Sequence, residues 1–151
     1  MVVRGEAGAG ASRLVDEALA DDGLRDCAQL RGVCPDVSQD TALAPIADAL
    51  AGLPYRTDGA ETALPPLTGV VATLVAELAD RLPEPPEAAA DPEVWRGLLP
   101  RAVRSLLAAH GPAVMVVEDV HWADPATRDL LHRLLADPPP RLRLALTERR
   151  A

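Results

Sequence analysis

The chain has 151 residues, 48% of them apolar, and a formal net charge of −8; it contains no lysine, so arginine supplies every fixed positive side chain. That length suits one domain with its own core, built from Ala, Val and Leu, because the only aromatic residues are Tyr55, Trp95 and Trp122. Acidic and basic residues are interspersed, which argues against the clustered positive footprint that nucleic acid or an anionic membrane requires. No run approaches the ~18 uninterrupted apolar residues of a bilayer span. The N-terminus lacks the apolar core of a signal peptide, so the expected compartment is the cytoplasm. Cys27 and Cys34 match no zinc or redox spacing and read as small buried side chains.

In chain order, Met1 to Arg4 reads as the end of a strand, followed by glycines up to Gly10. A helical pattern over residues 12–20 places Leu14, Val15, Ala18 and Leu19 on one face, and Asp21-Asp22-Gly23 stops it. Residues 27–34 form a candidate second strand ended by Pro35. Residues 43–53 read as a helix through Leu43, Ile46, Ala47 and Leu50, closed by Pro54. A loop-like stretch, 54–66, precedes a predicted helix over 67–82 with Val70, Val71, Leu74, Leu78 and Leu82 inward. Residues 83–91 form a Pro-rich surface connection.

Asp91-Pro92 then offers an N-cap with proline at the first helical position. The predicted helix runs to about His110, with Trp95, Leu98, Leu99, Val103, Leu106 and Leu107 inward and a kink or split at Pro100. Residues 113–117 form a continuous apolar run, as in a strand buried on both faces, ending at Glu118-Asp119. Asp124-Pro125 starts a helix to about Asp137, and residues 142–147 read as the final strand. This order predicts an α/β layered fold with a mainly parallel sheet of about four strands, within a single domain over 1–151.

Two segments carry chemistry. Gly5-Glu6-Ala7-Gly8-Ala9-Gly10-Ala11-Ser12 fits the phosphate-loop pattern of Gly, four residues, Gly, Lys, Ser/Thr at every position except the lysine, which is Ala11. A strand feeding a glycine-rich turn that opens a helix gathers backbone N–H groups at the positive helix end, and Ser12 sits where a hydroxyl coordinates Mg²⁺. The other segment is Val116-Val117-Glu118-Asp119. Acids at the carboxyl end of a central strand sit where ligands bind in α/β sheets; one can hold Mg²⁺ and the next can position water. About 105 residues separate the two, a reasonable gap for the Walker A and Walker B elements of a P-loop NTPase.

The run from Val2 to Leu14 resembles the first motif of the STAND-type AAA ATPase domain in large LuxR-type (MalT-like) bacterial regulators. Those proteins typically read Gly-Glu-Ala-Gly-Ile/Ala-Gly-Lys-Ser/Thr-Arg-Leu there. Leu30-Arg31-Gly32-Val33-Cys34 looks like their second strand, and Leu43 to Leu50 like the helix that follows. Glu118-Asp119-Val120-His121-Trp122-Ala123-Asp124 is similar to their most distinctive signature, and Leu142 to Arg149 to their sensor strand.

The resemblance implies a three-layer P-loop fold that binds ATP and Mg²⁺ and switches a regulator between assemblies, in contact with other regulator subunits or a complementing chain. Carried over by position, Gly5, Ala7, Gly8, Ala9, Gly10, Ala11, Ser12 and Arg13 would line the phosphates. Ser12 and Glu118 would hold Mg²⁺, Asp119 would orient water beside Glu118, and Thr147 and Arg149 would sense the terminal phosphate. Relative to that family the segment is expected to be truncated at both ends, leaving one edge of its first strand bare. Ala11 implies weak nucleotide binding and poor hydrolysis; the alternative is a non-catalytic remnant serving protein interaction. Arg13 lies about 200° round the helix from Ala11 and is a poor substitute for the lysine. His121 and Trp122 are expected to fix the turn after the acidic strand, Asp124 to act as an N-cap, and His110 and His132 to lie on helix surfaces.

Overall fold

The computed structural model describes residues 1–6, 10–36, 41–54 and 63–149. The strands are β1 (Val2–Gly5), β2 (Ala28–Val33), β3 (Ala113–Glu118) and β4 (Leu142–Arg149). The α-helices are α1 (Ala11–Leu19), α2 (Ala44–Ala51), α3 (Pro92–His110) and α4 (Pro125–Ala136). All strands run parallel in the order β1-β4-β3-β2. Parallel neighbours require crossovers, and the intervening helices supply them. The expected α/β architecture is therefore present, and β1 lies at a sheet edge.

β3 is buried at every position, as its unbroken Ala-Val-Met-Val-Val run requires. Its alternation divides two cores. Met115 and Val117 face the larger cluster with α2, α3 and α4. Val114 and Val116 face a smaller one with Val15 of α1 and Ala145 of β4. Period-two alternation then carries Glu118 to the α1 side.

Backbone-to-backbone packing fixes where β2 lies. A Cβ built on Gly32 would stand 1.9 Å from the carbonyl oxygen of Pro45, so the start of α2 rests directly on the strand. The odd-numbered side chains of β2 meet α1 instead: the Gln29 amide donates to the Leu19 carbonyl (3.2 Å), and Arg31 donates to Asp16 (2.7 Å).

Three expectations need correction. The predicted helix over 67–82 is two 3-10 segments, Pro66–Thr73 and Ala76–Arg81. Gly69 has no room there for a side chain against the Pro83 and Glu84 backbone, and the hydroxyls of Thr68 and Thr73 bond the carbonyls of Pro65 and Val70. Those bonds compete with α-helical pairing. The inward assignments nonetheless hold, with Val70, Val71 and Leu78 buried and Leu74 and Leu82 partly so. Within the Pro-rich connection, Glu87–Ala90 forms a 3-10 turn whose Ala89 joins the core. Of the kink or split expected at Pro100, the split does not occur, since α3 runs unbroken from Pro92 to His110. The Pro100 ring leaves the carbonyl of the exposed Arg96 without a helical donor.

His110 is also less superficial than expected. One ring nitrogen lies 3.2 Å from the Pro54 carbonyl oxygen, and Nδ1 is buried without a partner among the described residues. His132 is exposed. Cys34 is buried, Cys27 partly so, and both are free thiols. Burial, then the nearby carboxylates of Asp124 and Asp119, push the Cys34 thiol up to about 11, so it stays protonated at neutral pH. Among the described residues no helix is long and apolar enough to cross a membrane.

Candidate functional site

The start of α1 and the acidic end of β3 meet. Gly10 (φ 82°) caps α1 in the left-handed region that glycine enters without penalty. The helical ladder begins with the Leu14 amide on the Gly10 carbonyl (2.9 Å). The amides of Ala11, Ser12 and Arg13 therefore belong to the first helical turn, where N–H groups lack intrahelical partners and the helix dipole is positive. One residue into this helix, the Ser12 hydroxyl donates to Glu118 Oε2. Ala7, Gly8 and Ala9, assigned to the phosphate cradle from sequence, lie outside the described residues.

Glu118 is almost fully buried and engaged at both oxygens. Ser12 takes Oε2, and Arg31 Nε donates to Oε1 at 2.6 Å. Arg31 also spans to Asp16 on α1. The hydrogen bond to Glu118 raises the Arg31 pKa, burial opposes that, and Asp16 adds to the rise. Sequence reasoning missed this contact. The signal was available: the only polar side chains of β2, Gln29 and Arg31, alternate onto the same sheet face as Glu118, in a chain whose fixed cations are all arginine.

Asp119 leaves the sheet in a left-handed conformation (φ 54°), a region that Asp tolerates better than most side chains. Its amide donates to the buried Thr147 hydroxyl (3.0 Å), and its carboxylate lies 3.6 Å from Arg149 Nε. Gly5 pairs in register with Arg149, and Val3 with Thr147. The carboxyl ends of β1, β4 and β3 thus bring Gly5, Thr147, Arg149 and Asp119 to one rim. Arg13 does not turn inward: its guanidinium pairs with Glu17 at 3.0 Å and is 84% exposed. Only its main chain faces the role assigned to it.

His121 lies in the 3-10 turn Val120–Trp122. Its Nδ1 is 3.4 Å from the Arg149 amide, its ring centroid is 5.1 Å from that of Trp122, and Arg128 donates to its carbonyl (3.0 Å). These contacts tie the turn to β4 and α4. Its Nε2 is buried without a partner among the described residues.

Asp124 caps α4 by accepting from the amides of Ala126 and Thr127, both at 3.0 Å, and from the Thr127 hydroxyl; it also accepts from the Leu43 amide at 3.2 Å. The last bond ties α4 to the start of α2. Burial alone would raise the Asp124 pKa, but the bonds from Thr127, Leu43 and Ala126 outweigh it and lower the value. A depressed folded-state pKa contributes stability that is present above the unfolded value, near pH 4, and fades as pH falls through the folded one. Asp124→Ala is therefore expected to cost about 1–2 kcal/mol at pH 7, in urea unfolding, with the gap to wild type narrowing in acid below about pH 4. A gap that does not change with pH would show that the carboxylate charge contributes nothing.

The residues accommodate a divalent ion in a particular way. No group of three or more His, Cys, Asp or Glu side chains that could hold a metal occurs among the described residues. A hydroxyl and a carboxylate do converge, and Mg²⁺ commonly takes one or two protein ligands with the rest from water and phosphate. Ser12 and Glu118 fit that limited role, provided Glu118 can share an oxygen.

A parallel sheet whose strand ends gather a glycine-capped helix start and an acidic strand end is the architecture of the P-loop NTPases. The chain belongs to the AAA ATPase domain family, which matches residues 1–146. It is also 30% identical, over 148 residues, to an uncharacterized protein of Rhizobium meliloti (strain 1021), in an alignment covering 87% of this chain. The chain spans only 14% of that relative's length. No solved structure matches.

Proposed function

We propose that this chain is the nucleotide-binding module of a LuxR-type, STAND-class regulator, taking ATP with Mg²⁺ weakly and hydrolysing it poorly or not at all. The observation that carries the reading is the Ser12–Glu118 hydrogen bond, which joins the glycine turn to the acidic strand. Family membership supplies the nucleotide class. The length of the Rhizobium relative accords with a module inside a large protein.

In this reading the first-turn amides of α1, with Gly5, Gly10 and the intervening loop, bind the phosphates. Ser12 and Glu118 hold Mg²⁺, which when bound offsets charge on the phosphate oxygens. Asp119, fixed through its amide by Thr147, orients a water. Thr147 and Arg149 report the terminal phosphate to β4. Ala11 provides no ammonium where charge builds up during phosphoryl transfer, so turnover suffers more than binding.

Calorimetric titration with ATP and Mg²⁺ tests this. A saturable signal is expected, about ten- to a hundredfold weaker than a site with its lysine would give, since one charge-assisted contact is lost. No saturable signal up to millimolar nucleotide would discard the reading. It would favour the second one, a non-catalytic protein-interaction module, for which the engagement of both Glu118 oxygens within the chain already speaks.

A further inference from the structure

We propose that Arg31 is a resident cation that competes with the divalent metal for Glu118, so that the strand β2 side chain sets how strongly this site takes metal. The inference rests on the reading of Glu118 as the metal-facing carboxylate. Each side-chain oxygen of Glu118 has a donor: the Ser12 hydroxyl on Oε2 and Arg31 Nε on Oε1 at 2.6 Å. The Glu118 side chain is 9% exposed and that of Arg31 42%. The carboxylate is thus shielded from water while the guanidinium keeps a route out to solvent.

Charge and geometry fit displacement better than permanent pairing. Arg31 has a second carboxylate to rest on, Asp16, at 2.7 Å, with both side chains about half exposed. A guanidinium presents five donors on a planar fork and can release one acid while holding the other. A divalent ion arriving at Glu118 would face a fixed positive charge within a few ångströms, and repulsion at that range is substantial in a partly desolvated site. Arg31 would leave Oε1 of Glu118 free for a metal by swinging towards Asp16. Conversely, with Arg31 in place the buried Glu118 charge is compensated, and the site needs no metal to remain folded.

The test uses Mn²⁺ alone as the probe, followed by the electron paramagnetic resonance signal of the free ion, without nucleotide. Arg31→Gln is expected to bind Mn²⁺ about tenfold more tightly than wild type. Arg31→Lys, which keeps the charge, should lie nearer wild type. Adding Glu118→Gln to Arg31→Gln should erase the gain. If Arg31→Gln binds Mn²⁺ no better than wild type, or if the gain survives Glu118→Gln, the competition is refuted. Should Arg31→Gln fail to fold by circular dichroism, Arg31→Met keeps the aliphatic stem across the sheet and carries the same comparison.

The outcome separates cleanly from the nucleotide reading. Tighter Mn²⁺ in Arg31→Gln with no ATP binding by any variant would remove the nucleotide and leave the competition. ATP binding with unchanged Mn²⁺ affinity would do the reverse.

Discussion

Ala11→Lys is expected to bind ATP with Mg²⁺ about ten- to a hundredfold more tightly than the parent chain, the effect of one hydrogen bond to a charged group. Ala11 opens α1 immediately after the left-handed Gly10, and its neighbour Ser12 already touches Glu118. An ammonium at this position would stand at the helix start, one residue from the Ser12–Glu118 contact. The same substitution sets a cation against the positive end of the helix dipole, which costs roughly 0.3–1 kcal/mol without ligand. The variant should therefore be slightly less stable alone and gain more from nucleotide than wild type does. Calorimetry beside thermal unfolding measures both. Unchanged affinity would mean that the lysine is not what the site lacks.

Gly32→Ala should destabilise the fold by about 3 kcal/mol or more, at the upper end of what overpacking usually costs. The new methyl would lie 1.9 Å from the Pro45 carbonyl oxygen and 2.7 Å from its carbon. Those atoms are main chain at the start of a helix, so no side-chain rotation relieves the clash; α2 or β2 must move. α2 is bound in its turn by the Leu43 amide on Asp124, and β2 by its ladder to β3. Against a typical total of roughly 5–15 kcal/mol, such a loss is severe. Urea unfolding with parallel fluorescence of Trp95 and Trp122 gives the number. A cost below about 1 kcal/mol would show that α2 slides freely on the sheet.

The strands and α-helices could be read from the sequence because their signals are local. β3 is an uninterrupted apolar run, and Asp91-Pro92 and Asp124-Pro125 are helix starts in which both aspartates cap as expected. The stretch over 67–82 misled because its apolar spacing suits a helix, while a tertiary demand, the close approach of the Pro83 backbone to Gly69, decides its conformation. At the site, the meeting of Ser12 with Glu118 followed from placing each motif at a strand's carboxyl end. Thr147 and Arg149 were singled out only through the resemblance of their strand to a sensor strand, and their contacts with Asp119 were not foreseen. Arg31 went unread as a site residue although its alternation onto the Glu118 face was open to inspection, because its partner lies 87 positions away and the β2–β3 register, which no local signal fixes, brings the two together. The outward turn of Arg13 was foreseen from helical geometry.

The strand order has a consequence for how this molecule is made. β4 lies between β1 and β3, so among the described strands Val2 gains a neighbour only when Leu146 is in place. A chain emerging from the ribosome carries its glycine turn idle until that late insertion. Any ligand held between the turn and Glu118 would then select finished molecules over incomplete ones. At a hundredfold excess over its dissociation constant it would add about 2.7 kcal/mol to them, making resistance to denaturation a direct gauge of correct assembly.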